Sequence, residues 1–208
     1  MSNNFVRKSY NIIAKNYERD RNQFNNGRYL EKLNSLIFPC SSILDIGCGT
    51  GKPIDQYLVS KGHKVTGIDI SEEMIKLAEN NVPDACYQLM NMSDLKYNQF
   101  SVDVIVSFYA IFHTVRDSHA LLFKKMRSFL KSNGLLLVTM GSSDRKLKVE
   151  NYYDVPMYWS QFKPRANRNI IEGAGFEILL DEIDDSGNQH HQIVLAKAKR
   201  DPASLHIG

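Results

Sequence analysis

Three glycines stand at alternate positions directly after a short apolar stretch. The stretch covers residues 43–46, includes Asp45, and leads into Gly47, Gly49 and Gly51. Glycines permit positive φ and close approach of a ligand because they carry no Cβ. A helix is predicted soon afterwards, and the start of a helix is weakly positive. The combination predicts a site for a nucleotide-like ligand, with the Asp45 carboxylate as a hydrogen-bond acceptor that faces it.

The spacing of the glycines separates this turn from two other nucleotide-binding loops. A dinucleotide-binding turn has the pattern G-x-G-x-x-G, and Lys52 occupies the position of its third glycine here. The phosphate-binding pattern G-x-x-x-x-G-K-[ST] does not occur in this segment either. We therefore expect neither a dinucleotide fold nor a P-loop.

An acidic residue ends the second predicted strand. Asp69 follows Gly49 by 20 residues, and Ser71 next to it is placed to cap the helix that comes after. A carboxylate at the end of this strand can accept hydrogen bonds from both hydroxyls of a ribose. The sequence therefore predicts Asp69 as a ribose ligand, whereas a simple capping role is already filled by Ser71.

The run from Leu44 to Gly51 resembles the first motif of the class I S-adenosylmethionine-dependent methyltransferases. The alternative is a glycine turn with only a structural role. The resemblance extends over about residues 5–199 and implies S-adenosylmethionine as cofactor and S-adenosylhomocysteine as product. It also implies cofactor contacts for a set of residues in the first half of the chain, namely Tyr17, Arg21, Asp45, Gly47, Cys48, Gly49, Asp69, Ile70, Met74, Asn91, Met92 and Ser107.

One of these positions departs from the family pattern. The family usually has an acid where Asn91 stands, which accepts a hydrogen bond from the adenine amino group. The side-chain carbonyl of Asn91 can still accept such a bond, and Asp94 is an alternative acceptor. The departure also slightly favours a non-catalytic protein that binds S-adenosylmethionine.

Residues of the second half resemble the acceptor side of the family's site. Tyr109 and His113 follow the fourth predicted strand, and Tyr158 and Trp159 lie in a later aromatic segment. A neutral imidazole at position 113 could take a proton from an acceptor hydroxyl or amine as a general base. The alternative is a buried histidine that only forms structural hydrogen bonds.

The elements that would position these residues alternate between helix and strand. Apolar spacing predicts helices over 5–20, 29–38, 54–61, 118–131 and 165–174, with a further helix after Ser71. Strands are predicted over 42–46, 63–70, 85–90, 100–108, 135–140, 176–184 and 192–199, and residues 109–114 are expected to continue the fourth strand. The resemblance implies an α/β, Rossmann-like doubly wound sheet of seven strands, mostly parallel with an antiparallel C-terminal hairpin, plus N-terminal lid helices.

The chain is predicted to form a single methyltransferase domain over residues 1–208. Residues 5–38 would form a helical cap, residues 141–164 an insertion that covers the acceptor site, and residues 200–208 a loose tail. The length of 208 residues suits one domain with a substantial core.

Composition excludes several other classes. The net charge of +3 is too small to indicate nucleic acid as a partner, and no apolar run approaches the roughly 20 residues of a membrane span. Three cysteines without C-x-x-C spacing fit a reducing cytoplasm, and no metal site is predicted. Nothing in the sequence indicates the oligomeric state.

The predicted function is methyl transfer from S-adenosylmethionine to a small-molecule acceptor. One alternative is an RNA or protein methyltransferase on the same fold, and another is a binding protein without catalysis. The sequence does not identify the acceptor atom.

Overall fold

The computed structural model describes residues 2–20, 26–186 and 190–199. Its helices are α1 (Ser2–Asp20), α2 (Gly27–Asn34), α3 (Ile54–Ser60), α4 (Glu72–Asn81), α5 (His119–Phe129) and α6 (Pro164–Gly173). Its strands are β1 (Ser42–Ile46), β2 (Lys64–Asp69), β3 (Cys86–Leu89), β4 (Val102–Ser107), β5 (Leu130–Gly141), β6 (Arg145–Tyr152), β7 (Val155–Gln161), β8 (Phe176–Asp184) and β9 (His191–Ala198). The predicted tail at 200–208 lies outside the described residues.

Seven of these strands form one sheet in the order β3-β2-β1-β4-β5-β9-β8. Strands β1 to β5 pair in parallel, and β9 runs antiparallel to both β5 and β8. The predicted seven-stranded, mostly parallel sheet with an antiparallel C-terminal hairpin is confirmed. The chain leaves β1 in one direction toward β2 and later returns to its other side as β4, so the carboxyl ends of β1 and β4 form the switch point where such sheets bind ligands.

Both faces of the sheet are covered, which explains the nearly continuous apolar runs of its central strands. One face packs against α1, α2 and α3 through the buried residues Ile13, Leu33, Ile43, Leu58, Val104 and Leu137. The other face packs against α5 and α6 through Leu44, Ile105, Phe123, Met126, Leu136 and Ile171. Alternate residues of each strand thus enter opposite cores and hold the switch point rigidly.

The sequence predicted that residues 109–114 continue β4, but this segment leaves the strand. β4 ends at Ser107, Tyr109 adopts a φ of +57°, and a short 3₁₀ helix covers Ile111–His113. The backbone N–H of Tyr109 donates to the side-chain hydroxyl of Thr139 on the neighbouring strand β5. The chain therefore bends over the switch point and brings His113 toward the carboxyl end of the sheet.

Residues 141–164 contain a second, two-stranded sheet that the sequence analysis did not predict. β6 and β7 pair antiparallel around Tyr153 and Asp154, whose φ angles are +52° and +62°. Both central residues of this hairpin turn have positive φ, which usually requires Asn or Gly. The turn therefore lacked its usual sequence signal.

Two predicted boundaries were wrong for local reasons. α2 ends at Asn34 and not at residue 38, because Leu36 and Phe38 are exposed and only Ile37 of the last predicted turn packs against the core. β5 begins at Leu130 and not at residue 135, because residues 131–134 form a bulge in the strand and not a separate turn. None of the helices in the described ranges combines the length and the apolar character of a membrane span.

Candidate functional site

The glycine turn brings bare backbone to the carboxyl end of β1. The N–H groups of Gly47 and Cys48 both donate to the carbonyl of Ile68 on β2, at 2.8 and 3.1 Å. Gly47 has a φ of +82°, and a Cβ at this position would overlap the Cβ of Ala110. The turn therefore packs directly under the segment that follows β4, and only glycine fits there.

Asp69 is held at the end of β2 by two backbone donors. Its carboxylate accepts from the N–H of Gly49 at 3.0 Å and from the N–H of Ser71 at 2.9 Å. Burial raises the pKa of Asp69, and these two hydrogen bonds offset part of that effect. A carboxylate has lone pairs beyond these two bonds, so it can still accept from a ligand diol.

The next helix and the loop after β3 form an apolar wall beside Asp69. Ser71 caps α4 by accepting from the N–H of Met74 at 3.2 Å, as predicted. The side-chain oxygen of Asn91 accepts from the N–H of Ser93 at 3.0 Å and so caps a short 3₁₀ helix. Asp94, the predicted alternative acceptor, lies exposed on that helix.

One cavity of about 630 Å³, open solvent included, joins these features at the switch point. It is lined by ten of the residues predicted from the sequence, namely Tyr17, Gly47, Gly49, Asp69, Ile70, Met74, Asn91, Met92, Tyr109 and His113. Their individual roles stay predictions, but the fold does bring these residues together.

The other five predicted residues that the structure describes lie elsewhere. Asp45 and Cys48 line a smaller adjacent cavity that shares Tyr17, Gly47 and Gly49 with the first one. Ser107 is fully buried and donates to the carbonyl of Ile46 at 2.6 Å. Neither Tyr158 nor Trp159 is among the described residues that line the large cavity, and Arg21 lies outside the described residues.

His113 is buried and neutral. Its Nδ1 lies 2.7 Å from the carbonyl oxygen of Tyr158. A carbonyl can only accept, so Nδ1 carries the proton and Nε2 is a free acceptor position on the ring. Burial lowers the pKa of His113 to about 4. The imidazole therefore presents an unprotonated Nε2 at neutral pH.

That nitrogen is contacted by Tyr10, which the sequence analysis did not select. The hydroxyl of Tyr10 lies 2.7 Å from Nε2 of His113 and donates to it, and the Tyr10 ring also lines the cavity. The sequence carried one signal for this role, because Tyr10 and Tyr17 stand seven residues apart on one face of α1. The sequence predicts a cofactor contact for Tyr17 but no role for Tyr10.

The aromatic segment of β7 supports His113 from behind. The Trp159 ring centroid lies 4.6 Å from that of His113, and the Tyr158 backbone carbonyl accepts the Nδ1 proton. The segment thus fixes the orientation and the tautomer of the histidine. Contact of the Tyr158 and Trp159 side chains with an acceptor stays a prediction.

Comparison with known proteins finds similarity to methyltransferases. Residues 43–134 match the sequence profile of a family described as a methyltransferase domain. A Bacillus subtilis protein with a methyltransferase name is 28% identical over 162 residues, which cover 72% of this chain and 65% of that protein. This chain spans between 22% and 65% of the length of three curated relatives that it matches.

Solved structures share the fold. An S-adenosylmethionine-dependent methyltransferase from Methanosarcina mazei superposes with a TM-score of 0.72 at 22% identity, over 82% of this chain and 98% of that one. A magnesium protoporphyrin IX methyltransferase from Synechocystis with bound S-adenosylmethionine also gives 0.72, at 16% identity over 96% and 98% of the two chains. The fold predicted from the glycine turn is confirmed.

Proposed function

We propose that the chain is a class I S-adenosylmethionine-dependent methyltransferase, the kind of protein to which it is similar, and that it transfers the methyl group of S-adenosylmethionine to a small-molecule acceptor. One observation carries this proposal. A single cavity is lined at once by the glycine turn, by Asp69, and by the Tyr10–His113 pair. Groups suited to hold a nucleoside and groups suited to handle an acceptor proton therefore face the same space.

The residues present fit the cofactor. Asp69 offers a carboxylate to the ribose, and Ile70 and Met74 offer apolar surface to the adenine. Gly47 and Gly49 line the cavity without side chains and offer bare backbone to the part of the ligand between the nucleoside and the methionine.

The smaller cavity suits the methionine part. It is lined by one carboxylate, Asp45, and one ammonium group, Lys52. An amino acid carries an α-ammonium and an α-carboxylate, so a cavity lined by one acidic and one basic side chain complements it. We place the α-ammonium group at Asp45.

When bound, S-adenosylmethionine supplies an electrophilic methyl group on its sulfonium. The rings of Tyr10, Tyr17, Phe108 and Tyr109 line the cavity and would face that methyl group. Aromatic faces stabilise a cation and exclude water from it. The protein's main contribution is therefore alignment of the acceptor in a water-poor space.

The Tyr10–His113 pair provides a path for an acceptor proton. Tyr10 Oη can accept a proton from an acceptor hydroxyl or amine while it passes its own proton to Nε2 of His113. Nδ1 stays protonated throughout because it is hydrogen-bonded to the carbonyl of Tyr158. This assigns His113 the base role considered from the sequence and gives Tyr10 the direct contact with the acceptor.

The lining also supports a small acceptor without a phosphate group. No lysine or arginine is among the described residues that line the large cavity. On its acceptor side the lining consists of Val6, Tyr10, Phe108, Tyr109, Ala110, His113 and Thr114. An apolar or aromatic acceptor with one exchangeable proton matches this surface, whereas a phosphorylated one would lack a cationic partner.

The domain organisation predicted above is part of the proposal. α1 lies over the cavity and is joined to the hairpin by the Ser9 hydroxyl, which donates to the carbonyl of Pro156 at 2.7 Å. This contact supports a helical cap within residues 5–38 and a cover within 141–164. A cytoplasmic location is also proposed, on the basis of the free thiols of Cys40, Cys48 and Cys86.

Calorimetry with S-adenosylmethionine and S-adenosylhomocysteine tests the cofactor. We expect both to bind, and Asp69→Ala to reduce affinity by about 10- to 100-fold, because a charged acceptor is removed. Asp84→Ala, which removes an exposed carboxyl group, is the matched control and should bind like the wild type. Absence of binding to the wild-type protein, or equal affinities for the two variants, would contradict the proposal.

A further inference from the structure

Two carboxyl groups are buried together beneath the glycine turn. Asp45 at the end of β1 is 2% exposed, and Asp55 in the first turn of α3 is 0% exposed. Their side chains are hydrogen-bonded to each other. Two carboxylates can form such a bond only if one of them holds a proton, so the pair shares a proton and carries one negative charge.

A tyrosine reaches this pair through space left by two glycines. The hydroxyl of Tyr87, on the edge strand β3, donates to Asp55 at 3.0 Å. A Cβ at Gly67 would lie 2.6 Å from the Tyr87 ring, and a Cβ at Gly51 would lie 2.6 Å from its hydroxyl. The glycine in the middle of β2 and the last glycine of the turn therefore both make room for the side chain that binds Asp55.

The two acids differ in what else they face. Asp45 lines the smaller cavity, whereas Asp55 and Tyr87 are not among its described lining residues. Asp45 is thus the outer member of the pair, at the proposed methionine site. Asp55 is the inner member, which only the protein contacts. Any charge that arrives beside Asp45 acts on Asp55 through the shared proton.

The other ionisable groups around the pair are few. Cys48 in the turn interacts electrostatically with both acids of the pair and with Asp69 on β2. On the cavity side, Lys52 lies 3.9 Å from Glu18 of α1. Burial raises the pKa of Cys48, so the thiol is neutral and the acids carry the negative charge.

We infer that Asp55 is a positioning residue for the cofactor, and that the proton it shares with Asp45 is released when the α-ammonium group binds at Asp45. The inference rests on the proposed function. Before binding, the shared proton holds the Asp45 carboxylate in place and compensates the second acid. After binding, the ammonium group supplies the compensating positive charge, and the proton leaves to solvent.

The shared proton makes ligand affinity depend on pH. Burial raises the pKa of Asp55 to about 7. A cation beside the pair lowers that pKa, so binding releases a proton at pH values below it. Affinity should therefore rise with pH between pH 6 and 7, by up to about tenfold for one proton per pH unit. The ligand's own amino group stays charged in this range.

The test is calorimetry of S-adenosylhomocysteine binding at pH 6.0, 6.5 and 7.0, in two buffers with different ionisation enthalpies. We expect the wild type to release about one proton at pH 6.0 and about half a proton at pH 7.0. In Asp55→Asn the amide donates to Asp45 in place of the shared proton, so we expect binding with no such release and a flat affinity. Asp84→Asn is the matched control and should behave like the wild type.

A second variant keeps the test decisive if Asp55→Asn does not fold. Tyr87→Phe retains the ring and removes the hydroxyl that lowers the pKa of Asp55. Its proton release at pH 7.0 should rise from about one half toward one. Ligand binding with unchanged proton release in either variant would overturn the inference and leave the proposed function intact, whereas absence of binding to the wild type would refute the proposed function itself.

Discussion

The hydroxyl of Tyr10 lies 2.7 Å from Nε2 of His113. This hydrogen bond joins the first described helix to the segment after β4. Both residues line the cavity, which the glycine turn also lines. Through this contact, the position of α1 over the site affects the proposed proton transfer from the acceptor.

Removal of the Tyr10 hydroxyl should impair turnover more than cofactor binding. We expect Tyr10→Phe and His113→Ala each to reduce kcat/KM by about 10²-fold or more, the range typical of a lost acid–base group. S-adenosylhomocysteine affinity, measured by calorimetry, should change less than threefold.

The matched control is Tyr97→Phe, which removes the hydroxyl of a half-exposed tyrosine away from the cavity. It should retain wild-type kcat/KM. Wild-type turnover by Tyr10→Phe would show that Tyr10 has no part in moving the acceptor proton.

The sequence could not reveal this pair because its members are 103 residues apart. Helical spacing placed Tyr10 and Tyr17 on one face of α1, but that spacing does not show what the face packs against. The partner depends on the bend after β4, where Tyr109 adopts a positive φ that its residue type does not favour.

The position of the glycine turn and Asp69 beside one cavity was predictable because the signals are local. The glycines, Asp69 and the cap at Ser71 each follow from a short run of residues and the end of one strand. The acceptor half depends on the hairpin, whose turn at Tyr153 and Asp154 lacks the usual glycine or asparagine. The hairpin and its contacts therefore depend on tertiary packing, which local sequence patterns do not reveal.

The buried imidazole of His113 should make the fold less stable in mild acid. Its pKa is lowered to about 4, so below pH 6.5 the unfolded chain binds a proton that the folded protein does not. The stability contributed by the neutral imidazole is fully present above pH 6.5 and is lost as the pH falls toward 4. At pH 5 the loss is about 2 kcal/mol relative to pH 7.

Urea unfolding at pH 5 and pH 7 measures this difference. His113→Gln lacks the titrating group, so its stability should fall by about 2 kcal/mol less than that of the wild type over the same interval. An equal decrease in the two proteins would mean that His113 is not held neutral.

The glycine turn should not tolerate a side chain at its first position. In Gly47→Ala the new Cβ overlaps Ala110 and the residue must keep a positive φ. We expect a loss of several kcal/mol in unfolding free energy, or loss of S-adenosylhomocysteine binding where the fold survives.

Gly62→Ala separates the effect of steric overlap from the effect of backbone strain. Gly62 has the same φ of +82°, but a Cβ there meets no atom within 4 Å. This variant should lose only about 1 kcal/mol, from backbone strain. If the two variants were equally stable and bound the ligand equally, close packing at the turn would be refuted.

Transfer of a labelled methyl group tests the central claim most directly. The wild-type protein is incubated with methyl-labelled S-adenosylmethionine and, separately, with metabolite, RNA and peptide pools, and Tyr10→Phe is run in parallel. We predict label in the metabolite fraction, reduced about 10²-fold in the variant. Label found only in RNA or peptide, or no transfer to any pool, would contradict the assignment of a small-molecule methyltransferase.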